Sequence, residues 1–334
     1  MSIIDINFLS DYCKKQNKLF NVLIVLLSSC NQNCIHCYIP EHKNYGLPFD
    51  IVKKTIDEAR ELGALNVTLT GGEIFVRKDI FDIIQYAKSK GLRVFLMSNA
   101  SMLDESKIKK LHDLGIAEFS TTLFSMDDGI HDTITLLPGS CQKTKNSIML
   151  LKQYGIPVTV KTPLMEVNKY AYKDVEKFAE ANGFNFMSTT TIFSKSDGDT
   201  SPCDLGIQSD LCTIVNETRY LQEKYRDEAL TFDKEGIPCG AGFNSISVNY
   251  DGAIWPCNSL FLECGNIFTD NLVDVWNNSP TLLQWRENAV KPLMPCQKCT
   301  YKNKCLRCPG MALLEDGDLY GCSSSAKKIA SLVR

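Results

Sequence analysis

The 334-residue chain has no apolar run long enough to cross a bilayer. Its most continuous early run, Val22 to Leu27, is a fraction of the ~20 residues a spanning helix needs. No small-residue cleavage site follows it, so it is not the core of an export signal either. Positive charge is scarce: 36 Lys and Arg stand against 39 Asp and Glu, for a net charge of −3. That balance excludes the broad basic field on which non-specific nucleic-acid binding depends. Internal repeats and low-complexity tracts are missing, which removes solenoids and disordered arrays. What is left, at 44% apolar and 22% charged residues, is an ordinary globular composition able to bury a sizeable core. The expected setting is the cytoplasm, with no membrane and no nucleic acid as partner.

Cysteine is plentiful. Fifteen occur, an odd number, in a chain without an export signal, whereas disulfide scaffolds are short and secreted. Thiols kept reduced and clustered in sequence point to metal ligation. They form an early trio, Cys30, Cys34 and Cys37, and a late set, Cys239, Cys257, Cys296, Cys299, Cys305, Cys308 and Cys322. Cys13, Cys141, Cys203, Cys212 and Cys264 stand apart, and most of them read as small buried apolar side chains.

Between the two groups, strand and helix patterns alternate. The apolar run Val22–Leu27 reads as a strand buried on both faces, and Val67–Thr70, Val94–Met97, Ala117–Leu123, Val158–Thr162 and Phe186–Thr191 read as further strands. Helical patterns at Pro48–Leu62, Ile80–Lys90, Glu105–Leu114, Lys143–Tyr154 and Tyr172–Ala181 separate them, with a loop through Gly139 before the fourth. Strict alternation implies an α/β fold with a parallel sheet, either doubly wound or an incomplete barrel. The polar stretch Ser194–Gly206 reads as a linker or loop, and a helical stretch near Ile207–Tyr225 leads to the tail. There, Ser245–Asn249 and Ala253–Trp255 flank a Tyr-Asp-Gly turn and predict a hairpin. The expected domains are residues 1–200, a bridge over 201–236, and a cysteine-rich domain over 237–334.

Chemistry begins with CNQNCIHC directly after the first strand. Three thiolates spaced C-x3-C-x2-C in one loop can each take one iron of a [4Fe–4S] cube. Electron-transfer clusters usually have a fourth protein thiolate, and none lies nearby, so one iron stays open to an outside ligand. The competing reading is a zinc site using His36, which sits beside Cys37 and so chelates poorly with it. Thr70-Gly71-Gly72-Glu73 ends the second strand, where the absence of Cβ atoms lets backbone approach a ligand closely.

The trio after the first strand, the Tyr38 that follows it and the GGE at the second strand's end together resemble the radical S-adenosylmethionine superfamily. The resemblance implies an incomplete (β/α)6 barrel with its chemistry at the strand C-termini. It implies that Cys30, Cys34 and Cys37 hold the catalytic [4Fe–4S] cluster. It also implies that Tyr38, Gly71, Gly72 and Glu73 lie at the cofactor, with the GGE segment on its methionine amino group. Ser98 and Asn99, ending the third strand, match a polar segment near ribose and methionine. Leu123-Phe124-Ser125 with His131-Asp132 resembles the fourth-strand region, with Thr122 where relatives often have Ser. Lys161 on the fifth strand suits the cofactor carboxylate. Lys161 could equally pair with a core carboxylate, and His131 could be a surface loop residue.

The tail resembles the seven-cysteine SPASM extension, which binds two auxiliary iron–sulfur clusters and brings the expected total to three. PCGAGFNSISVNYDGAIWPC is close to its usual opening. By this resemblance Cys296, Cys299, Cys305 and Cys322 form the outer cluster, and Cys239, Cys257 and Cys308 supply the inner one. Cys305 and Cys308 are separated by two residues where three are usual. The inner cluster's fourth ligand is Cys264 or an open position. A zinc ribbon is the rival, but its CxxC pairs lie further apart than the five residues found here.

The resemblance implies an enzyme that cleaves S-adenosylmethionine into methionine and a 5′-deoxyadenosyl radical, which abstracts hydrogen from an unactivated C–H bond. SPASM relatives mostly act on peptides, so a ribosomally made peptide that is crosslinked through a thioether or C–C bond, or otherwise modified, is the expected substrate. Asn258 stands where sulfatase-maturing relatives have an acid. An external donor of flavodoxin or ferredoxin type is implied. Only about twenty residues precede the first strand, so leader recognition would fall to a separate protein or another surface. The alternatives are a small-molecule or tetrapyrrole-modifying oxidoreductase and, outside enzymes, an iron–sulfur carrier or metal-stabilised binding module.

Overall fold

The structure is a computed structural model that describes residues 6–43, 46–224, 239–291 and 293–333. Its strands among these residues are β1 Asn21–Val25, β2 Asn66–Thr70, β3 Arg93–Met97, β4 Glu118–Thr122, β5 Val158–Pro163, β6 Asn185–Thr189, β7 Ser245–Val248, β8 Ala253–Trp255 and β9 Gly265–Asn266. Described residues fall into two compact units. One lies within Met1–Ser29, Lys43–Leu96 and Thr231–Pro292, the other within Cys30–His42, Met97–Leu230 and Leu293–Arg334.

In the first unit the strands run β3-β2-β1-β7-β8-β9. β1 pairs parallel with β2 on one side (Val22 opposite Val67) and with β7 on the other (Val22 opposite Ile246). β7 and β8 form the expected antiparallel hairpin, with Val248 opposite Ile254. Val22, Ile24, Val67, Leu69, Val94 and Leu96 are fully buried, as two-sided coverage of a parallel sheet requires. The covering helix Phe49–Glu61 is tied to the tail: Lys54 Nζ donates to the carbonyls of Ile267 (2.9 Å) and Asp270 (2.7 Å). Its Glu58 carboxylate accepts from the Leu272 N–H at 2.7 Å, satisfying a donor at the start of helix Leu272–Asn278. Trp285 in helix Pro280–Ala289 is buried and donates to the Ala241 carbonyl at 2.7 Å.

In the second unit β4, β5 and β6 are parallel, with Thr122 opposite Lys161 and Thr162 opposite Ser188. Helix Glu105–Leu114 has the predicted bounds because Asp104 caps its start and Gly115, at φ +63°, ends it.

Two expectations change and a third is narrowed to one of its alternatives. Residues 128–135, read as loop, form a helix capped by the Asp127 side chain on the Ile130 N–H. With only Ile130 and Ile134 as an apolar pair and Gly129 inside it, the segment lacks a helical stripe. The next helix is Ser140–Gln153, starting three residues earlier than its local pattern. The Asp132 carboxylate, from the preceding helix, accepts from the Gly139 and Cys141 N–H groups and the Ser140 hydroxyl. The stretch 194–206 is a packed loop: Ser194 is fully buried and the Ser196 N–H donates to the Tyr38 carbonyl at 2.9 Å. The bridging helix spans Leu211–Lys224. Residues 225–238, the remainder of the expected bridge and the first two residues of the expected tail domain, lie outside the described residues.

Candidate functional site

The trio's loop is pinned by backbone and by apolar packing. Asn33 N–H donates to Thr135 O (3.1 Å) and Ile35 N–H to Ile134 O (3.0 Å), so the end of helix Asp128–Thr135 holds the loop. Ile35 packs on the cluster of Phe124, Ile134, Met165 and Ile192, and the His36 ring meets Phe124 edge-on at 4.9 Å. The thiols are close enough to influence one another. Burial, then the neighbouring Cys37 and Cys30, pushes the Cys34 thiol up to about 12, and burial also raises Cys37. Iron would invert that preference, since a coordinating thiol is deprotonated outright.

Each sulfur has a polar neighbour. Gln32 N–H and Asn99 Nδ2 donate to Cys30 Sγ at 3.4 and 3.8 Å. Cys34 Sγ donates to Gln32 Oε1 at 3.4 Å, and Cys37 Sγ lies 3.3 Å from His42 Nε2. Among the described residues no three His, Cys, Asp or Glu side chains converge on a single-ion site. A cubane asks for something looser, because each thiolate takes its own iron. Three neighbouring thiols, each with a polar group beside its sulfur, fit that group. His36 lies against Phe124, and burial lowers its proton affinity to about 4.

In the other unit, the GGE segment is laced to the three residues that precede Cys30. Gly72 N–H donates to Leu27 O and Glu73 N–H to Ser29 O, both at 2.9 Å. The approach is so close that a Cβ on Gly72 would lie 2.2 Å from Ser29 O, and one on Gly71 would lie 2.6 Å from Leu27 O. Glu73 is fully buried and its Oε1 accepts from the Phe75 N–H at 3.0 Å. The glycines are therefore needed for backbone packing as well as for any ligand.

Ser98 and Asn99 follow β3. The Ser98 N–H donates to Ser120 O at 3.1 Å and its hydroxyl accepts from the Ala100 N–H at 3.0 Å. Asn99 Nδ2 also donates to Asn31 Oδ1 (2.8 Å), its Oδ1 accepts from the Ser101 hydroxyl (2.7 Å), and its carbonyl accepts from Thr144. Thr122 and Lys161 are register partners on β4 and β5. Lys161 forms no ion pair among the described residues; its Nζ donates to Met97 Sδ at 3.8 Å, and burial lowers its proton affinity. A half-buried ammonium of this kind favours a carboxylate partner. His131 is buried rather than on a surface loop, with Nδ1 accepting from the Phe124 N–H at 3.2 Å.

In the tail, Cys296, Cys299, Cys305 and Cys322 line one cavity of about 90 Å3, together with Tyr301 and Arg307. Burial, then Cys296, Cys322 and Cys299, raises the Cys305 thiol. Arg307 donates to the carbonyls of Gly321 (2.6 Å) and Leu319, tying the last cysteine's segment to the rest. Cys308 lines a different cavity, of about 190 Å3, with Thr189, Thr191, Lys304 and Met311. Cys239, Cys257 and Cys264 belong to the first compact unit and Cys308 to the second. Cys264 is buried, its thiol donating to Leu262 O at 3.4 Å and pushed up to about 12 by burial.

Sequence reasoning missed Gln32, His42 and the Asn31–Asn99–Ser101 network. Gln32 and Asn31 carried a signal, their place inside the cysteine motif. No helix among the described residues is long and apolar enough to cross a membrane.

A family model described as the Radical SAM superfamily matches residues 24–181, and one described as an iron–sulfur cluster-binding domain, SPASM, matches residues 239–309. The chain is 26% identical over 326 residues to the AdoMet-dependent heme synthase of Methanosarcina barkeri, covering 88% of this chain and 92% of that one. It is 26% identical over 313 residues to the antilisterial bacteriocin subtilosin biosynthesis protein AlbA of Bacillus subtilis, covering 85% and 65%. The crystal structure of Streptococcus suis SuiB bound to S-adenosylmethionine matches with a TM-score of 0.73 at 16% identity, over 98% of this chain and 84% of that one. The shared fold is the incomplete (β/α)6 barrel with a C-terminal cysteine-rich domain. The chain belongs to the radical SAM superfamily, as a SPASM-bearing enzyme that uses [4Fe–4S] clusters and S-adenosylmethionine.

Proposed function

We propose that the chain modifies a ribosomally made peptide, abstracting hydrogen from it to form a thioether or C–C crosslink or a related change. The observation that carries this is similarity along most of the chain to AlbA, a bacteriocin biosynthesis protein, joined to the fold of SuiB, which was also solved bound to a precursor peptide. When bound, the cluster and S-adenosylmethionine supply a 5′-deoxyadenosyl radical.

The chain's own residues then hold and orient. Cys30, Cys34 and Cys37 hold the catalytic cluster, and the Asn99 and Thr135 contacts keep their loop in place. Gly71, Gly72 and Glu73 offer backbone to the methionine amino group, and Lys161 offers an ammonium to its carboxylate. Tyr38, Ser98, Asn99 and Thr122 complete the cofactor's surroundings. Cys296, Cys299, Cys305 and Cys322 hold an outer auxiliary cluster, and Cys239, Cys257 and Cys308 an inner one, for three in all. Residues 1–200 form the catalytic domain, with a bridge over 201–236 before the cysteine-rich domain. The enzyme works in the cytoplasm with a flavodoxin- or ferredoxin-type donor.

A second reading is tetrapyrrole modification, favoured by the heme synthase similarity, which spans 92% of that enzyme. The test is 5′-deoxyadenosine release by the anaerobically reconstituted, reduced chain. A short peptide encoded beside its gene should raise release and gain a mass change. Stimulation by an iron porphyrin, with the peptide inert, would establish the second reading instead.

A further inference from the structure

Two side-chain atoms in the trio's loop are buried without a hydrogen-bond partner among the described residues, His36 Nδ1 and Gln32 Nε2, and Gln32 is the one whose other polar groups bond the cysteine sulfurs. Gln32 lies between Cys30 and Cys34 in sequence and is 6% exposed. Its backbone N–H donates to Cys30 Sγ and its Oε1 accepts from Cys34 Sγ, each at 3.4 Å. Its Nε2 has no partner among the described residues. Buried amides that leave a donor unused are rare enough to need a cause.

We propose that Gln32 is the positioning residue of the catalytic cluster, its side-chain amide donating to sulfur at Cys34 and raising the cluster's reduction potential. This rests on the assignment of Cys30, Cys34 and Cys37 as the cluster's ligands. In the metal-free chain the Cys34 thiol is the donor and the amide oxygen accepts. Iron binding removes that proton, and the sulfur becomes an acceptor only. An amide oxygen facing a thiolate is then repelled. A half-turn about the last torsion exchanges oxygen for nitrogen without moving the side chain's outline. The unused donor gains its acceptor and the repulsion disappears. Hydrogen bonds to cluster sulfur are one of the levers on potential, and they act upward because the reduced form carries more negative charge. Methionine has similar length and no donor, so Gln32→Met isolates the effect, while Gln32→Glu keeps the shape and replaces the donor with an anion.

The test is an EPR-monitored redox titration of the fully reconstituted chain, following the signal that S-adenosylmethionine perturbs. Q32M should move that midpoint to more negative potential and leave the auxiliary signals in place, with Q32E moving it further. In the metal-free chain, Q32M should not lower the unfolding midpoint, since it removes an unsatisfied group; a merely structural residue would lower it. In the unmutated chain, side-chain 15N-labelled glutamine should give a 15N coupling to the cluster in ENDOR spectra. This readout stands even if a variant fails to load iron. An unchanged midpoint in both variants, or no such coupling, overturns the proposal. Failure of the ligand assignment looks different: no EPR signal responds to S-adenosylmethionine even in the unmutated chain.

Discussion

Replacing Gly72 with alanine tests whether the GGE segment is held by the chain that leads into the cysteine loop. The added Cβ would sit 2.2 Å from Ser29 O and 2.6 Å from Ser28 O, both backbone atoms that cannot rotate away. The two strands of backbone must part, which breaks Gly72 N–H to Leu27 O and Glu73 N–H to Ser29 O. Each such bond contributes about 1 kcal/mol net. Overpacking of a tight site adds about 1–3 kcal/mol. Together they predict a destabilisation of about 3–5 kcal/mol. At roughly 2 °C per kcal/mol for a large chain, the thermal midpoint should fall by about 6–10 °C. Calorimetry or circular dichroism on the metal-free protein measures that fall, and chromatography of 5′-deoxyadenosine measures cofactor cleavage. Cleavage should fall with stability, because Glu73 and Ser29 move apart at the entrance to the trio. A variant with an unshifted midpoint and full cleavage would refute the reasoning.

Changing Cys30, Cys34 and Cys37 together to Ala should abolish 5′-deoxyadenosine release while the auxiliary iron remains; retained release would remove the trio from the chemistry. C305A and C322A should each cost about four irons per chain, and the double variant no more than either alone. C308A should remove a different set, and additive losses from Cys305 and Cys322 would show that the shared cavity is not one site. A further prediction concerns pH. Burial lowers His131 to about 4 from its ordinary 6.5, so its stability contribution is complete above pH 6.5 and lost as pH falls toward 4. H131L should flatten that slope in denaturant titrations and cost about 1–3 kcal/mol at neutral pH by orphaning the Phe124 N–H; an unchanged slope would count against it.

The catalytic half was legible because its signals are local. Apolar runs such as Val22–Leu27 and Val94–Met97 show strand burial directly, and Asp104 with Gly115 marks both ends of one helix to the residue. What escaped depends on partners distant in sequence. Helix Asp128–Thr135 has too few apolar residues to declare itself, and its neighbour's start is set by Asp132, seven to nine residues upstream of the groups it caps. The trio and the GGE could be found by spacing. Gln32, His42 and Asn31 could not be assigned from it, since amides and a lone imidazole acquire meaning only when a sulfur lies beside them. In the tail, spacing alone left the division of seven cysteines open, whereas the cavity gathers Cys296, Cys299, Cys305 and Cys322 and leaves Cys308 elsewhere.

The parallel pairing of β7 with β1 has a consequence for anyone who would divide the chain. NVLIV is among its most apolar strands, and its second edge is occupied by residues 245–248 from the cysteine-rich region. A fragment that stopped before that region would present this edge bare, a row of unpaired amides and carbonyls on an aliphatic ribbon. Such a ribbon recruits other chains, so the shortened protein should be recovered as aggregate whether or not iron is supplied. The auxiliary region is thus a folding partner of the first strand, independent of any metal it carries.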